Sequence, residues 1–236
     1  MSAEKLLYKG KAKSMYETAD PRVLRVWFRD EASAFNGVRV EQLPGKGEIN
    51  NKINAFVMQF LANEGIPTHF IGLDGPEHSL VRPLKMLPVE CVIRNRAAGG
   101  IVKRLQMPLG TEFSTPIFEF FYKNDALGDP MVNESHIITF GWATAEQIVD
   151  MKLLTQRVNA LLSKLLADKG MILVDLKLEF GLNDGMLTLG DEISPDGCRI
   201  WDSETKKILD KDRFRQELGE VVEHYREIAK RLGVPA

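Results

Sequence analysis

The amino-acid sequence predicts a fold of the α+β class, and three features of its patterning carry that expectation. Residues 174–194 read VDLKLEFGLNDGMLTLGDEIS, two apolar, β-prone runs on either side of an Asn-Asp-Gly turn, which is the pattern of a hairpin. The opening of the chain repeats this on a smaller scale, with strand-like runs at residues 6–9, 14–16 and 23–28 and a bend at Gly10. Two apolar stripes with helical spacing lie between these blocks, one following Gly47 and one following Thr144. Residues 81–87, VRPLKML, form a short apolar connector broken by Pro83. The expected architecture is therefore a small β-rich N-terminal lobe, residues 1–86, and a larger lobe of antiparallel sheet and helices, residues 87–236.

Composition narrows the class. With 236 residues, 44% hydrophobic and 27% charged, the chain can bury a sizeable core as one domain or two lobes. Its 31 basic and 33 acidic residues leave a net charge of -2, so no global field draws in nucleic acid or an anionic membrane. Any anion must be held by a local cluster. Two cysteines, Cys91 and Cys198, are too few for a disulfide framework, and the start MSAEKLLYKGKAK lacks the apolar stretch of a signal peptide, which points to a reducing cytoplasm. No apolar run approaches the length of a bilayer span.

In chain order, Gly10-Lys11-Ala12-Lys13 places two lysines on the same side of an extended segment, beside a glycine that permits close backbone approach. That suits a phosphate cover or an ordinary solvated turn. It is not a Walker sequence. Residues 33–37 and 43–47 read as loops, and the helix after them carries Ile49, Ile53, Phe56, Val57, Phe60 and Leu61 on one stripe until Gly65. In residues 87–100, LPVECVIRNRAAGG, strand alternation sets Glu90, Val92, Arg94 and Arg96 on one face and Val89, Cys91 and Ile93 on the other. Two arginines beside a glycine-ended turn match phosphate oxygens, although an exposed edge would look the same. Residues 119–133 read as a polar, turn-rich connection holding Lys123, Asp125 and Asp129. Thr144 then opens the longest helix, with Gln147 completing a capping box and a stripe of Ile148, Met151, Leu154, Val158, Leu161, Leu162 and Leu165.

The helix leads into the hairpin, where Val174, Leu176, Leu178 and Phe180 share one face and Asp175, Lys177 and Glu179 the other. Three charged side chains in a row need solvent, a cleft or a bound cation. A two-residue Asp-Gly loop would pair Glu179 with Gly190 and send Asp191 to the apolar side. A three-residue loop, residues 183–185, brings Asp191 opposite Lys177, and this register is the one expected because burying Asp191 among leucines is costly. Two carboxylates across the pair would make a hard oxygen site suited to Mg²⁺, the usual companion of ATP phosphates; a solvated edge with salt bridges fits the same residue types. After a Pro-Asp-Gly turn, the last helix is expected to start near residue 210 and to bury Leu218, Val221, Val222, Tyr225, Ile228 and Leu232. Cations at its start, Lys211, Arg213 and Arg215, oppose the macrodipole and need aspartates or an anionic ligand. His69, His78, His136 and His224 show no metal spacing and read as surface residues.

Taken together, YKGKAKSMY, SAFNG, GKGEINNKIN, LPVECVIRNRAAG, KNDALGDPMVNE, VDLKLEFG, LGDEISPDGCRIWD and KDRFRQ closely resemble the SAICAR synthetase family over nearly the whole chain. The family joins L-aspartate to the carboxylate of carboxyaminoimidazole ribotide (CAIR), spending ATP. The resemblance implies ATP between the two lobes, in an arrangement broadly like the ATP-grasp and kinase folds, and a homodimer. It implies that Lys11 and Lys13 lie over the ATP phosphates and that residues 82–86, from Arg82 to Met86, hold the adenine. Glu179 and Asp191 would ligate Mg²⁺ with Lys177 on the phosphates, and Glu90 would face a metal at the CAIR carboxylate. Arg94 and Arg199 correspond to a ribotide phosphate clamp; Asp196, Lys211 and Arg215 complete the CAIR and aspartate pocket; Lys123 and Asp129 close over it. Gly100 stands where the family usually has serine, which leaves only a backbone N–H for the CAIR phosphate, and Cys198 also stands where serine is common.

The chemistry so implied is ATP phosphorylation of the CAIR carboxylate to an acyl phosphate, followed by displacement of phosphate by the aspartate amine, with Lys13 and Lys177 stabilising charge by position. Asp175 and Asp196 are both open as the base for the amine. Two rival readings use the same residues. A small-molecule kinase would need the same ATP and Mg²⁺ site but a hydroxyl acceptor. A nucleotide or RNA-binding module would rest on Arg94, Arg96, Arg199, Arg213 and Arg215; the net charge and 8% aromatic content oppose it.

Overall fold

The computed structural model describes residues 5–34 and 37–235. Phe35 and Asn36 of the SAFNG segment lie outside the described residues. The fold is α+β, as expected. An antiparallel five-stranded sheet has the order β1-β2-β3-β7-β6, from β1 (Leu6–Lys9), β2 (Lys13–Glu17), β3 (Leu24–Phe28), β6 (Phe70–Leu73) and β7 (His78–Val81). Between β3 and β6 come a two-stranded hairpin, β4 (Glu31–Ala34) and β5 (Arg39–Gln42), and helix α1 (Lys46–Asn63). The second sheet runs β10-β9-β8-β11-β12, built from β8 (Lys85–Arg96), β9 (Glu112–Tyr122), β10 (Met131–Val132), β11 (Met171–Asn183) and β12 (Met186–Leu189), with β13 (Cys198–Asp202) also on β11. Helices α2 (Gly100–Leu105), α3 (Glu134–Thr139), α4 (Ala145–Ala167), α5 (Asp212–Arg215) and α6 (Val221–Leu232), with a 3-10 turn at Asp125–Leu127, complete the described elements.

β11 is the central strand. β8 pairs along one edge, and β13 and then β12 along the other. Alternation sorts Leu176, Leu178 and Phe180 as the sequence predicts: they join Val89, Cys91 and Ile93 in the core under Ile148, Met151, Val158 and Leu162 of α4. Val174 does not share that face as expected, because the register shift between Leu173 and Asp175 sets it with Ala98 and Trp201 instead. The other face aligns Asp175 with Arg94, Lys177 with Val92 and Glu179 with Glu90 across the β8–β11 pair. The Thr144–Gln147 capping box at the start of α4 is formed in both directions.

Five further expectations are corrected. The hairpin turns on two residues, Asp184 and Gly185, both left-handed (φ 49° and 83°), so Phe180 pairs with Leu189 and the Gly190 N–H reaches the Glu179 carbonyl at 2.9 Å. That is the register in which strand alternation would bury Asp191. The chain avoids this by ending β12 at Leu189 and turning left-handed at Asp191 itself (φ 54°), which swings the carboxylate back to the charged face. Second, β4 and β5 occupy part of what reads as loop. Third, the connection after residue 119 starts later than expected, because Glu119 through Tyr122 still belong to β9. Fourth, the last helix is two helices. Left-handed Glu217, Gly219 and Glu220 break it, Leu218 is exposed, and the Arg213 guanidinium closes the break by donating to the carbonyls of Ile208, Leu218 and Gly219 at 3.2, 2.9 and 2.8 Å. Fifth, His69 and His224 are buried rather than on the surface.

The entry to α1 is tightly fitted. The Gly47 N–H donates to Asp30 Oδ1 at 2.9 Å, and a Cβ there would lie 2.9 Å from the Phe28 carbonyl carbon, at the end of β3. Gly47→Ala must push α1 off the sheet, so we expect a loss of about 3 kcal/mol in denaturant unfolding; a loss under about 1 kcal/mol would show that the contact yields freely.

Candidate active site

The charged face of β11 looks into a cavity of about 250 Å³ lined by Glu90, Val92, Arg94, Phe121, Asp175, Leu176, Lys177, Asp196, Gly197, Cys198, Arg199 and Arg215. Three groups of charge border it.

The first is a cluster of lysines and carboxylates. Lys177 Nζ lies 3.1 Å from Glu90, 3.5 Å from Asp191 and in contact with Glu179. Glu179 is also held by Lys123, and Lys13 of β2 joins Asp191 and, at 2.8 Å, Glu192. Burial opposes the charge on Lys177, but Glu179, Asp191 and Glu90 together hold its pKa well above the usual value. Lys13 is raised in the same way against its burial by Asp191 and Glu192. Burial also opposes ionisation of Asp191, yet Lys13 and Lys177 keep its pKa far below the ordinary carboxylate range. Glu90 is pushed upward, chiefly by burial. Among the described residues no group of three or more His, Cys, Asp or Glu side chains is arranged around a shared metal position. Instead Glu90, Glu179 and Asp191 converge on the Lys177 ammonium; carboxylate oxygens are the donor type a hard ion takes, and one or two of them beside phosphate oxygens are the usual set for Mg²⁺.

The second group is an alternating chain of arginines and acids. Arg104 and Arg94 share Glu119, Arg94 and Arg199 share Asp175 at 2.7 and 2.9 Å, and Arg199 and Arg215 share Asp212 at 2.7 and 2.5 Å. Four guanidiniums against three carboxylates leave one positive charge in excess. Burial works against the Arg199 charge, but Asp175 and Asp212 raise its pKa further above the usual arginine value. Gly99, left-handed at φ 61°, makes room for Arg199, since a Cβ there would lie 2.6 Å from the guanidinium carbon. Gly100 opens α2, and Arg104 Nη1 is the nearest group to its missing Cβ, at 3.9 Å.

The third group centres on Asp196. The buried Lys46 ammonium lies 2.7 Å from one carboxylate oxygen, the Tyr225 hydroxyl donates to the other at 2.7 Å, and Lys211 stands at 3.5 Å. Burial resists ionisation, but Lys211 and Lys46 hold the Asp196 pKa far below the ordinary range. Lys211 itself is lowered by burial and by the neighbouring Lys46 and Arg215 charges, against the pull of Asp196.

The structure thus brings together Glu90, Arg94, Lys13, Lys123, Asp175, Lys177, Glu179, Asp191, Asp196, Arg199, Lys211 and Arg215. Lys11 stands apart, paired with Asp125 at 2.6 Å. Asp129 serves its own loop, accepting from the Asn124 N–H at 2.9 Å. Arg82 points its guanidinium at the carbonyls of Thr68 and Phe70 (3.5 and 3.4 Å). Leu84 and Met86 lie over Gly181 and Gly190, forming an apolar cover beside Asp191. The sequence places Lys46 in a loop and Tyr225 in the core, and singles out neither as a site residue. A lysine at the first position of α1 opposes the helix dipole, the same signal that singled out Lys211.

A profile of the SAICAR synthetase family matches residues 6–232. A phosphoribosylaminoimidazole-succinocarboxamide synthase of Acinetobacter baumannii is 59% identical, over 99% of this chain and 98% of its own. Among solved structures, the corresponding synthase of Ehrlichia chaffeensis superimposes with a TM-score of 0.97 at 46% identity, covering 98% of this chain and all of that one. A SAICAR synthetase in complex with ADP gives 0.93 at 44% identity, covering 97% of both chains.

The Asp196 network makes a direct prediction. Lys46→Met strands half of a buried ion pair and should lower stability by about 3 kcal/mol in urea unfolding, whereas a change under about 1 kcal/mol would mean that Lys211 and Tyr225 hold Asp196 without it.

Proposed function

On the premise that this chain belongs to the SAICAR synthetase family, we propose that it joins L-aspartate to the carboxylate of CAIR, forming SAICAR, ADP and phosphate, as an ATP-dependent ligase of purine biosynthesis. The observation that carries this reading is one cavity lined by Lys177 and Glu90 of the lysine–carboxylate cluster and by Arg94, Arg199 and Arg215 of the arginine chain, along one face of β11. A dianionic ribotide phosphate meets Arg94 and Arg199 and the backbone at Gly100, with Arg215 and Lys211 toward the aspartate. ATP lies with its adenine against residues 82–86, from Arg82 to Met86, and its phosphates under Lys11, Lys13 and Lys123. This makes residues 1–86 an ATP-covering lobe over the lobe of residues 87–236, which holds the metal, CAIR and aspartate sites, with the Asp129 loop closing over them. Glu179 and Asp191 hold Mg²⁺, with Glu90 toward the CAIR carboxylate; the ion supplies charge neutralisation on the phosphates.

A carboxylate oxygen of CAIR attacks the γ-phosphorus and expels ADP. The aspartate amine then attacks the acyl carbon, phosphate leaves with that oxygen, and the amine gives up its proton to water. Lys13 and Lys177 exchange their present carboxylate partners for phosphate oxygens, so they stabilise charge without covalent participation. Asp175 is shared by two arginines and Asp196 is flanked by two lysines and Tyr225. In this reading both act as anchors of cations rather than as the base. The enzyme works in the cytoplasm, where ATP is supplied and Cys91 and Cys198 stay reduced, and as a homodimer like the family it belongs to.

With ATP, Mg²⁺ and CAIR, ADP should form in step with an aspartate adduct and hardly at all without L-aspartate. ADP release indifferent to aspartate would favour a kinase acting on a small molecule. Glu179→Gln should lower kcat about 100-fold, the scale of one lost electrostatic contact to the transition state, while CAIR affinity changes much less. Unchanged turnover at saturating Mg²⁺ would remove Glu179 from the metal site.

A further inference from the structure

Asp191 belongs to the charged face only because its own backbone is left-handed, a conformation uncommon outside glycine and one that its surroundings hold in place here. The segment at residues 67–69, just before β6, supplies that hold. Leu189 forms a parallel bridge with Thr68, its N–H donating to the Pro67 carbonyl at 2.8 Å and its carbonyl accepting from the His69 N–H at 2.9 Å. Two residues later the His69 ring reaches the turn itself, with Nε2 3.0 Å from the Asp191 carbonyl oxygen. A carbonyl can only accept, so Nε2 carries the proton. His69 is 5% exposed. Its backbone is fixed at the other end too, because the His69 carbonyl accepts from the Arg82 N–H at 2.8 Å.

We infer that His69 is a positioning residue of the nucleotide site: it fixes the left-handed turn at Asp191 and thereby the direction of the Asp191 carboxylate. Its contacts tie the start of the adenine-facing segment to the carboxylate at the phosphate end. Lys13 grips the same turn from the same sheet through the side chains of Asp191 and Glu192, and Asn54 Oδ1 accepts from the Ile193 N–H at 2.9 Å just beyond. His69 is the member that holds the Asp191 backbone.

This rests on the reading that Asp191 helps to hold Mg²⁺ at the nucleotide phosphates, and the test separates the two. His69→Gln keeps an N–H donor while losing the aromatic ring; His69→Phe keeps the ring and loses the donor. Calorimetry of ADP binding, with and without Mg²⁺, reads the consequence, alongside CAIR affinity and thermal unfolding. In the unaltered protein Mg²⁺ should tighten ADP binding. His69→Gln should retain that tightening, and His69→Phe should lose about tenfold of it, with Mg²⁺-free ADP affinity and CAIR affinity unchanged in both. If the phenylalanine variant does not fold, His69→Ala takes its place. Equal behaviour of the two variants, or a better phenylalanine variant, would assign the ring to packing and overturn the inference. ADP binding indifferent to Mg²⁺ in the unaltered protein would withdraw the metal reading, and the inference with it.

Discussion

A charge removed from water must be matched, and this requirement organises the molecule around β11. Its pleat drives Leu176, Leu178 and Phe180 into the core, so Asp175, Lys177 and Glu179 have no choice but the opposite face. Each is then matched by a different part of the chain: Asp175 by Arg94 and Arg199, Lys177 by Glu90 and Asp191, Glu179 by Lys123 as well as Lys177. These partners come from β8, the turn after β12, β13 and the loop after β9. The pairing therefore fixes the site and the packing of the sheet together.

Such pairing costs desolvation, and buried ion pairs are poor contributors to stability compared with apolar packing. Their value here is that they can be exchanged. Lys13 and Lys177 rest on carboxylates and are not left bare, so in the proposed reaction an incoming polyphosphate would replace one set of oxygens with another. The arginine chain differs, because four guanidiniums share three acids and the excess positive charge stands ready for an anion without any partner being displaced.

Much of this was legible in the amino-acid sequence where a single local rule decides. Alternation placed both faces of β8 and β11, and the Thr144–Gln147 pair announced α4. The rest depends on conformations that side-chain patterns do not encode. Asp191 reached its expected partners by an unexpected route, since the two-residue turn sets the register that would bury it and a left-handed residue then reverses the outcome. The break between α5 and α6 uses left-handed Glu217 and Glu220, neither of which announces a break as Gly219 does. The four-residue β4 and β5 are too short to show a period, and β5 is mostly exposed. His69 and Lys46 passed as ordinary residues because their partners, the Asp191 carbonyl and the Asp196 carboxylate, are more than a hundred residues away.

The central claim is that one face of β11 brings the γ-phosphate of ATP to a substrate carboxylate. CAIR labelled with ¹⁸O in its carboxylate, turned over with ATP and L-aspartate, tests this most directly. Transfer of one ¹⁸O into the released phosphate is the predicted result, because the attacking carboxylate oxygen leaves with the phosphoryl group. Phosphate free of label, with SAICAR still formed, would contradict the account and place the activation on another atom.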